Sequence, residues 1–343
     1  MSFHQPFLTF VVSLLLAIFA SKQAVADFIR VGLLLPERAE DLFGLEKDVV
    51  ASMERLRHNH NLFFASRYAT NAAEAQAFAN ELGRKNFNIL VTLGPRFRDV
   101  WHEMASYFPK TQFIVLDGED EASPYTGLVF DEHRAAFILG TQVASQTISK
   151  RLAFVGAVDN PSIRRVLLAF RAGVRLVDQT IVIEERFVSS TAQGWQDLET
   201  AQTLVESLLL RPLDALFLAL GPNTAELVST SAMNEWLTEQ PQRLLLLAGR
   251  QDLQQLSPQV LQRSVLLLKR GDLAMEYVLQ LFTEKSLKPG ILNFGLSAGG
   301  VQLVEGTNRS RISTKLEADQ RLRVIRQDVL NGQIKVPDYF RVF

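Results

Sequence analysis

The sequence has no cysteine and only five histidines in 343 residues. The first absence excludes disulfides, thiolate metal sites, cysteine nucleophiles and an N-terminal lipid carried on cysteine. The second leaves little material for a nucleophile–base pair or a histidine-rich metal site. An excess of one charge is also missing, with 36 Lys and Arg against 37 Asp and Glu. A nucleic-acid footprint or a polybasic lipid patch needs a clear surplus of bases, so no nucleic-acid partner is expected.

Long apolar runs are confined to the start of the chain. Phe7 to Ala20 is too short to span comfortably as a mature transmembrane helix, and Ala24-Val25-Ala26 places small residues where a signal peptidase reads them. Residues 1–26 therefore read as a signal peptide, with cleavage near Ala26 and a periplasmic or secreted product that is not a lipoprotein. Only His4 can carry charge ahead of the apolar run, so an uncleaved anchor also fits. Removing 1–26 takes away Lys22 alone among the charged residues, leaving 35 bases against 37 acids. Later runs, such as Leu244 to Ala248, end within strand length.

From Asp27 onward, short apolar runs alternate with longer amphipathic segments, the pattern of βαβ units and a parallel sheet. Candidate strands are Phe28 to Leu35, Leu62 to Tyr68, Asn88 to Leu93, Gln112 to Leu116 and Gly127 to Phe130. A second series follows: Leu152 to Val158, Ile181 to Val188, Ala215 to Leu220, Leu244 to Ala248 and Val265 to Leu268. Two similar series imply two similar sheets. Between them, Asn71 to Arg84 carries Ala75, Phe78, Ala79 and Leu82 at helical spacing, with Asn71 as cap and Pro161 in the first turn of a later helix. Glycines and polar residues collect at the strand ends, as in Leu116-Asp117-Gly118 and Leu220-Gly221-Pro222-Asn223. Ligands of open parallel α/β sheets bind outside those carboxyl ends.

Catalytic motifs fail on context. Gly295-Leu296-Ser297-Ala298-Gly299 matches a nucleophile elbow, but Val301 to Val304 reads as a strand where a helix is needed, and no histidine follows His133. His58-Asn59-His60 has no nearby carboxylate or third nitrogen to complete a metal site. No phosphate-binding glycine loop follows a candidate strand. The chain is expected to be no enzyme, to carry no metal or cofactor, and to bind a small molecule.

Several stretches resemble the basic membrane protein family of periplasmic binding proteins, the purine-nucleoside-type receptors of ABC importers. They run from Ala105-Ser106-Tyr107-Phe108-Pro109 and Phe113 to Asp117, through Phe130-Asp131-Glu132 and Phe137-Ile138-Leu139-Gly140, to Ala169-Phe170-Arg171-Ala172-Gly173. Asn331-Gly332-Gln333-Ile334-Lys335-Val336-Pro337 is similar to the family's closing motif. The resemblance implies an α/β chain of two Rossmann-like lobes with parallel sheets, the type I periplasmic binding protein architecture, joined by three interlobe crossings. By that analogy lobe one is 27–130 plus 270–296 and lobe two 131–269 plus 297–343.

The implied function is a solute receptor that hands a nucleoside-like or related polar-aromatic solute to an ABC permease in the inner membrane. The alternative is a periplasmic sensor or regulatory partner with a diverged or empty pocket. Implied site residues are Glu40 and Phe43 in the first loop, Phe97, Gln251 where the family has an acid, and Lys269 near sugar hydroxyls. Asp117, Trp195, Gly221 and Asn223 complete the candidate set. Phe43 and Trp195, from opposite halves of the chain, would sandwich a ring at about 1 to 3 kcal/mol per stacked base. Each also has a plain structural role open to it: packing for Phe43 and Trp195, turn capping for Asp117, surface exposure for Lys269.

Overall fold

Val31, Leu33 and Leu35 point to one face of the first strand and Leu34 to the other, and all four are buried. A strand covered on both faces loses the polar alternation of a half-exposed one, and parallel sheets show this character. The computed structural model describes residues 28–36, 44–59, 61–118, 124–240, 242–249, 256–305 and 319–342. The expected Glu40, Phe43 and Gln251, and the cleavage site near Ala26, lie outside the described residues.

In chain order the elements begin with β1 (Ile29–Leu35), α1 (Gly44–Asn59), β2 (Leu62–Tyr68), α2 (Ala72–Arg84), β3 (Ile89–Leu93), α3 (Arg98–Tyr107), β4 (Gln112–Leu116) and β5 (Thr126–Val129). They continue with α4 (Glu132–Ala144), β6 (Arg151–Val158), α5 (Pro161–Val177), β7 (Val182–Ser189), α6 (Leu198–Leu209), β8 (Ala215–Ala219), α7 (Asn223–Val228) and α8 (Ser231–Glu239). After these come β9 (Leu244–Ala248), α9 (Pro258–Arg263), β10 (Ser264–Lys269), α10 (Gly271–Thr283), β11 (Gly290–Asn293), β12 (Val301–Glu305), α11 (Gln320–Leu330) and α12 (Tyr339–Val342).

The strands form two six-stranded sheets, ordered β11-β5-β4-β3-β1-β2 and β12-β10-β9-β8-β6-β7. The first sheet is parallel throughout. The second is parallel except at its edge, where β12 runs antiparallel to β10 and pairs Lys269 with Val301. A short return from the other sheet delivers β12, and without a crossover helix it can only enter head to tail. Sheet membership makes the chain change sheets three times, after β5, after β10 and after β11.

The segments that change sheets are tied together. Phe294 N donates to Val129 O at 2.8 Å, Leu296 N to the Asp131 carboxylate at 2.9 Å, and Arg270 N to Gly300 O at 2.7 Å. Phe294 also stacks on Tyr277 at 4.7 Å and meets Phe130 edge-on at 5.8 Å. The Gly295–Gly299 stretch is thus the turn between β11 and β12, with no helix following it. Local signals account for the helix starts: Asn71 accepts from Glu74 N, and Asn160 accepts from Ile163 N just ahead of Pro161.

Two glycines set the closest helix pair. A Cβ on Gly140 of α4 would run into the Phe170 carbonyl, and one on Gly173 of α5 into the Phe137 carbonyl. The two helices therefore pack backbone to backbone. No helix among the described residues is long and apolar enough to cross a membrane.

Candidate functional site

Strand β10 is a run of leucines ending in Lys269, so the sheet carries the lysine stem in its buried wall and presents the ammonium at the strand's carboxyl end. There the Lys269 Nζ donates to Asp117 Oδ2 at 2.8 Å and lies 3.0 Å from Glu132 Oε1. The three residues come from different places: Asp117 from the end of β4 in the first sheet, Glu132 from the first turn of α4, Lys269 from the second sheet. Asp117 holds a left-handed φ of 60°, a conformation that aspartate tolerates better than most residues. Its backbone N–H is fixed by Leu128 O at 2.8 Å.

Burial alone would lower the Lys269 ammonium's affinity for its proton, but the charges of Asp117 and Glu132 outweigh that and hold its pKa above the ordinary lysine value. Burial pushes the Glu132 carboxyl above its usual range; the Lys269 charge opposes this and the Asp117 charge adds to it. The triad is a buried cation shared by two carboxylates.

Around it lies a cavity of about 1110 Å³ between the two sheets. Its walls are the start of α1, the carboxyl ends of β8, β9 and β10, and the start of α5. Asp117, Trp195, Gly221 and Lys269 all line it, so four expected residues meet in one space. Trp195 ends a short 3-10 turn, Ala192–Trp195, held close to β6 because Gly194 lies against the Ala157 carbonyl. Gly221 has a φ of 56° and turns the chain out of β8.

Asn223 is buried at the start of α7, beside the lining residues Gly221 and Pro222 but not itself in the lining, and its amide nitrogen has no partner among the described residues. Phe97 sits elsewhere. It closes the 3-10 turn Pro95–Phe97 and packs 3% exposed in the cluster of Leu34, Phe78 and Trp101 on the far face of the first sheet.

The cavity contains charged residues that sequence patterns did not single out. Arg270 clamps Asp272 through two contacts of 2.8 and 2.7 Å and donates to Gln302 Oε1 at 2.8 Å. Glu46 and Asp48 enter from the first turns of α1. Among the described residues the lining holds five carboxylates, Glu46, Asp48, Asp117, Glu132 and Asp272, against three cations, Lys47, Lys269 and Arg270. In sequence Glu132 stands in the Phe130-Asp131-Glu132 stretch that resembles the family, but no pattern there marks it as a site residue.

The chain is similar to known proteins in sequence and fold. The family model described as "ABC transporter substrate-binding protein PnrA-like" matches residues 28–339. The "CD4+ T-cell-stimulating antigen" of Listeria monocytogenes is 24% identical over 283 residues, covering 79% of this chain and 76% of that protein. The "ABC transporter nucleoside-binding protein BmpA" of Lactococcus lactis subsp. cremoris is 23% identical over 128 residues, 37% of this chain and 34% of that one. A solved solute-binding protein of an ABC transporter system from Aeropyrum pernix K1 superposes with a TM-score of 0.68 at 15% identity, covering 90% of this chain and 94% of that one. Likeness at that identity shows the fold, the two-lobed type I periplasmic binding protein architecture that the family resemblance implied.

Proposed function

We propose that this chain, which belongs to the Bmp family of PnrA-like ABC transporter substrate-binding proteins, binds a neutral nucleoside-like solute in its interlobe cavity and delivers it to an ABC permease from outside the cytoplasm. On this reading residues 1–26 direct export as a signal peptide cleaved near Ala26, and the lobes are 27–130 plus 270–296 and 131–269 plus 297–343.

The observation that carries the reading is the Lys269 ammonium, held 2.8 Å from Asp117 and 3.0 Å from Glu132 in the cavity that Trp195 also lines. Vicinal hydroxyls need both donors and acceptors at short range, and this triad supplies both. A base needs a flat apolar face, and Trp195 supplies one. Glu40, Phe43 and Gln251 complete the proposed set from segments outside the described residues, with Phe43 stacking opposite Trp195. The excess of acids among the described lining residues supports nucleosides over their phosphates.

Calorimetry on the chain beginning at Asp27, with nucleosides, free bases, sugars and nucleoside 5′-monophosphates, tests this. A nucleoside is expected to bind and raise the melting temperature, and its monophosphate to bind at least tenfold more weakly. If no member of the panel stabilises the protein, the receptor reading is withdrawn.

A further inference from the structure

The closing segment Asn331 to Pro337 plays no part in the interlobe cavity. It lies instead beside α4 and α5, where it forms one wall of a second groove of about 470 Å³. The floor is apolar: Leu168 and Leu176 come from the outer half of α5, and Ile334 and Pro337 from the closing segment. Leu176 stands 44% exposed at the rim, an unusual place for a leucine on a helix whose other large apolar residues are mostly buried.

The groove is fixed in advance. Asp338, next to Pro337, accepts from Arg165 Nε at 2.8 Å and Nη2 at 3.0 Å, and the same guanidinium lies 5.0 Å from the Phe340 ring. Arg165 is 4% exposed, so the closing segment is pinned by a buried, bidentate ion pair. The opposite wall is held by the contact of Gly173 with the Phe137 carbonyl.

Three cations surround this apolar floor: Arg171, Arg175 and Lys335. Arg171 is engaged by Glu185 at 2.9 Å. Neither Arg175 nor Lys335 has a side-chain partner among the described residues. Two cations from separate walls, unpaired among the described residues and flanking an apolar trough within the size range of small-molecule sites, match a ligand with one anionic end and one hydrocarbon body.

We propose that this groove is a second binding site, separate from the interlobe cavity, for a single-chain anionic amphiphile of the fatty-acid type. The carboxylate lies between Arg175 and Lys335, and the chain runs over Leu168, Leu176 and Ile334. A groove of about 470 Å³ suits one monomeric chain better than a membrane surface.

Calorimetry and ¹³C NMR with monomeric decanoate test the site on the chain beginning at Asp27. Saturable one-site binding is expected. It should weaken at least tenfold in the Arg175→Glu, Lys335→Glu double variant and in Leu176→Asp, whose surface positions leave folding intact. Decanol and decyltrimethylammonium should bind at least tenfold more weakly than decanoate. Trp195→Ala should leave decanoate binding unchanged.

Equal binding of decanol, no effect of the charge reversals, or loss of decanoate in Trp195→Ala would each overturn the proposal. So would binding of the chain to anionic phospholipid vesicles in the absence of any binding to monomeric decanoate.

Discussion

The Lys269 ammonium lies 2.8 Å from the Asp117 carboxylate, and the two residues belong to different sheets. Their side chains are only 20% and 25% exposed, and the charge that balances the second carboxylate, Glu132, is the same ammonium. Removing the cation therefore leaves two carboxylates facing each other in a low-dielectric wall. Lys269→Met is expected to destabilise the protein by about 3 to 5 kcal/mol and to abolish solute binding. Glu132→Gln, which keeps the Asp117 contact, should cost much less. Urea unfolding of the two variants checks the order, and a Lys269→Met variant as stable as the parent would contradict it.

Trp195 belongs to the cavity wall and touches the core only partly. Trp195→Ala should weaken binding of the solute by about 5- to 150-fold, the equivalent of roughly 1 to 3 kcal/mol of stacking, while the unliganded protein unfolds at nearly the same denaturant concentration. Calorimetry beside urea unfolding separates the two effects. A variant with unchanged affinity would remove Trp195 from the site.

The backbone contact of α4 and α5 leaves no room for a methyl group at Gly173. Gly173→Ala is expected to destabilise the chain by about 1 to 3 kcal/mol, because the neighbour that must yield is the Phe137 carbonyl rather than a flexible side chain. Thermal unfolding measures it.

His133 gives the fold an acid-sensitive element. Burial chiefly, and then the Arg165 charge, lowers its pKa from 6.5 to about 3, against the opposing pull of Asp338 at 3.9 Å; Arg134 and Arg341 add to the lowering. The folded chain thus refuses a proton that the unfolded chain accepts. Stability is complete above about 6.5 and falls as the pH drops toward 3, by up to about 1.4 kcal/mol per unit. His133→Gln should flatten that slope between pH 6 and 4. Unfolding free energies across that range provide the check, and an unchanged slope would assign the acid loss to other groups.

Much of this architecture is legible from local pattern. Gln112 to Leu116 and Leu244 to Ala248 are strands over the spans that their apolar runs suggest, because burial on both faces leaves such a run nearly unbroken, and Leu62 to Tyr68 is the largely exposed edge strand of its sheet. Strand β11 is not legible. Gly290 to Asn293 is four residues long, follows a proline and alternates in exposure, so its strand character comes from pairing with β5 rather than from its own residues.

The site divides the same way. Lys269 and Asp117 stand out because each is a charge closing an apolar strand, whereas Glu132 and Asp272 become visible only when the sheet changes bring them to one cavity. Phe97 had the right neighbours in sequence, but the turn from Pro95 directs its ring to Trp101 and the core. No local rule fixes on which side of a sheet such a turn will leave an aromatic ring.

The glycine-mediated weld between α4 and α5 has a mechanical consequence. Glu132 starts α4 at the cavity, while the outer half of α5 carries Leu168, Arg175 and Leu176. With main chain pressed on main chain there is no layer of side chains to absorb displacement between the helices. Where Gly140 and Gly173 meet the facing carbonyls, a shift of α4 has to carry α5 with it.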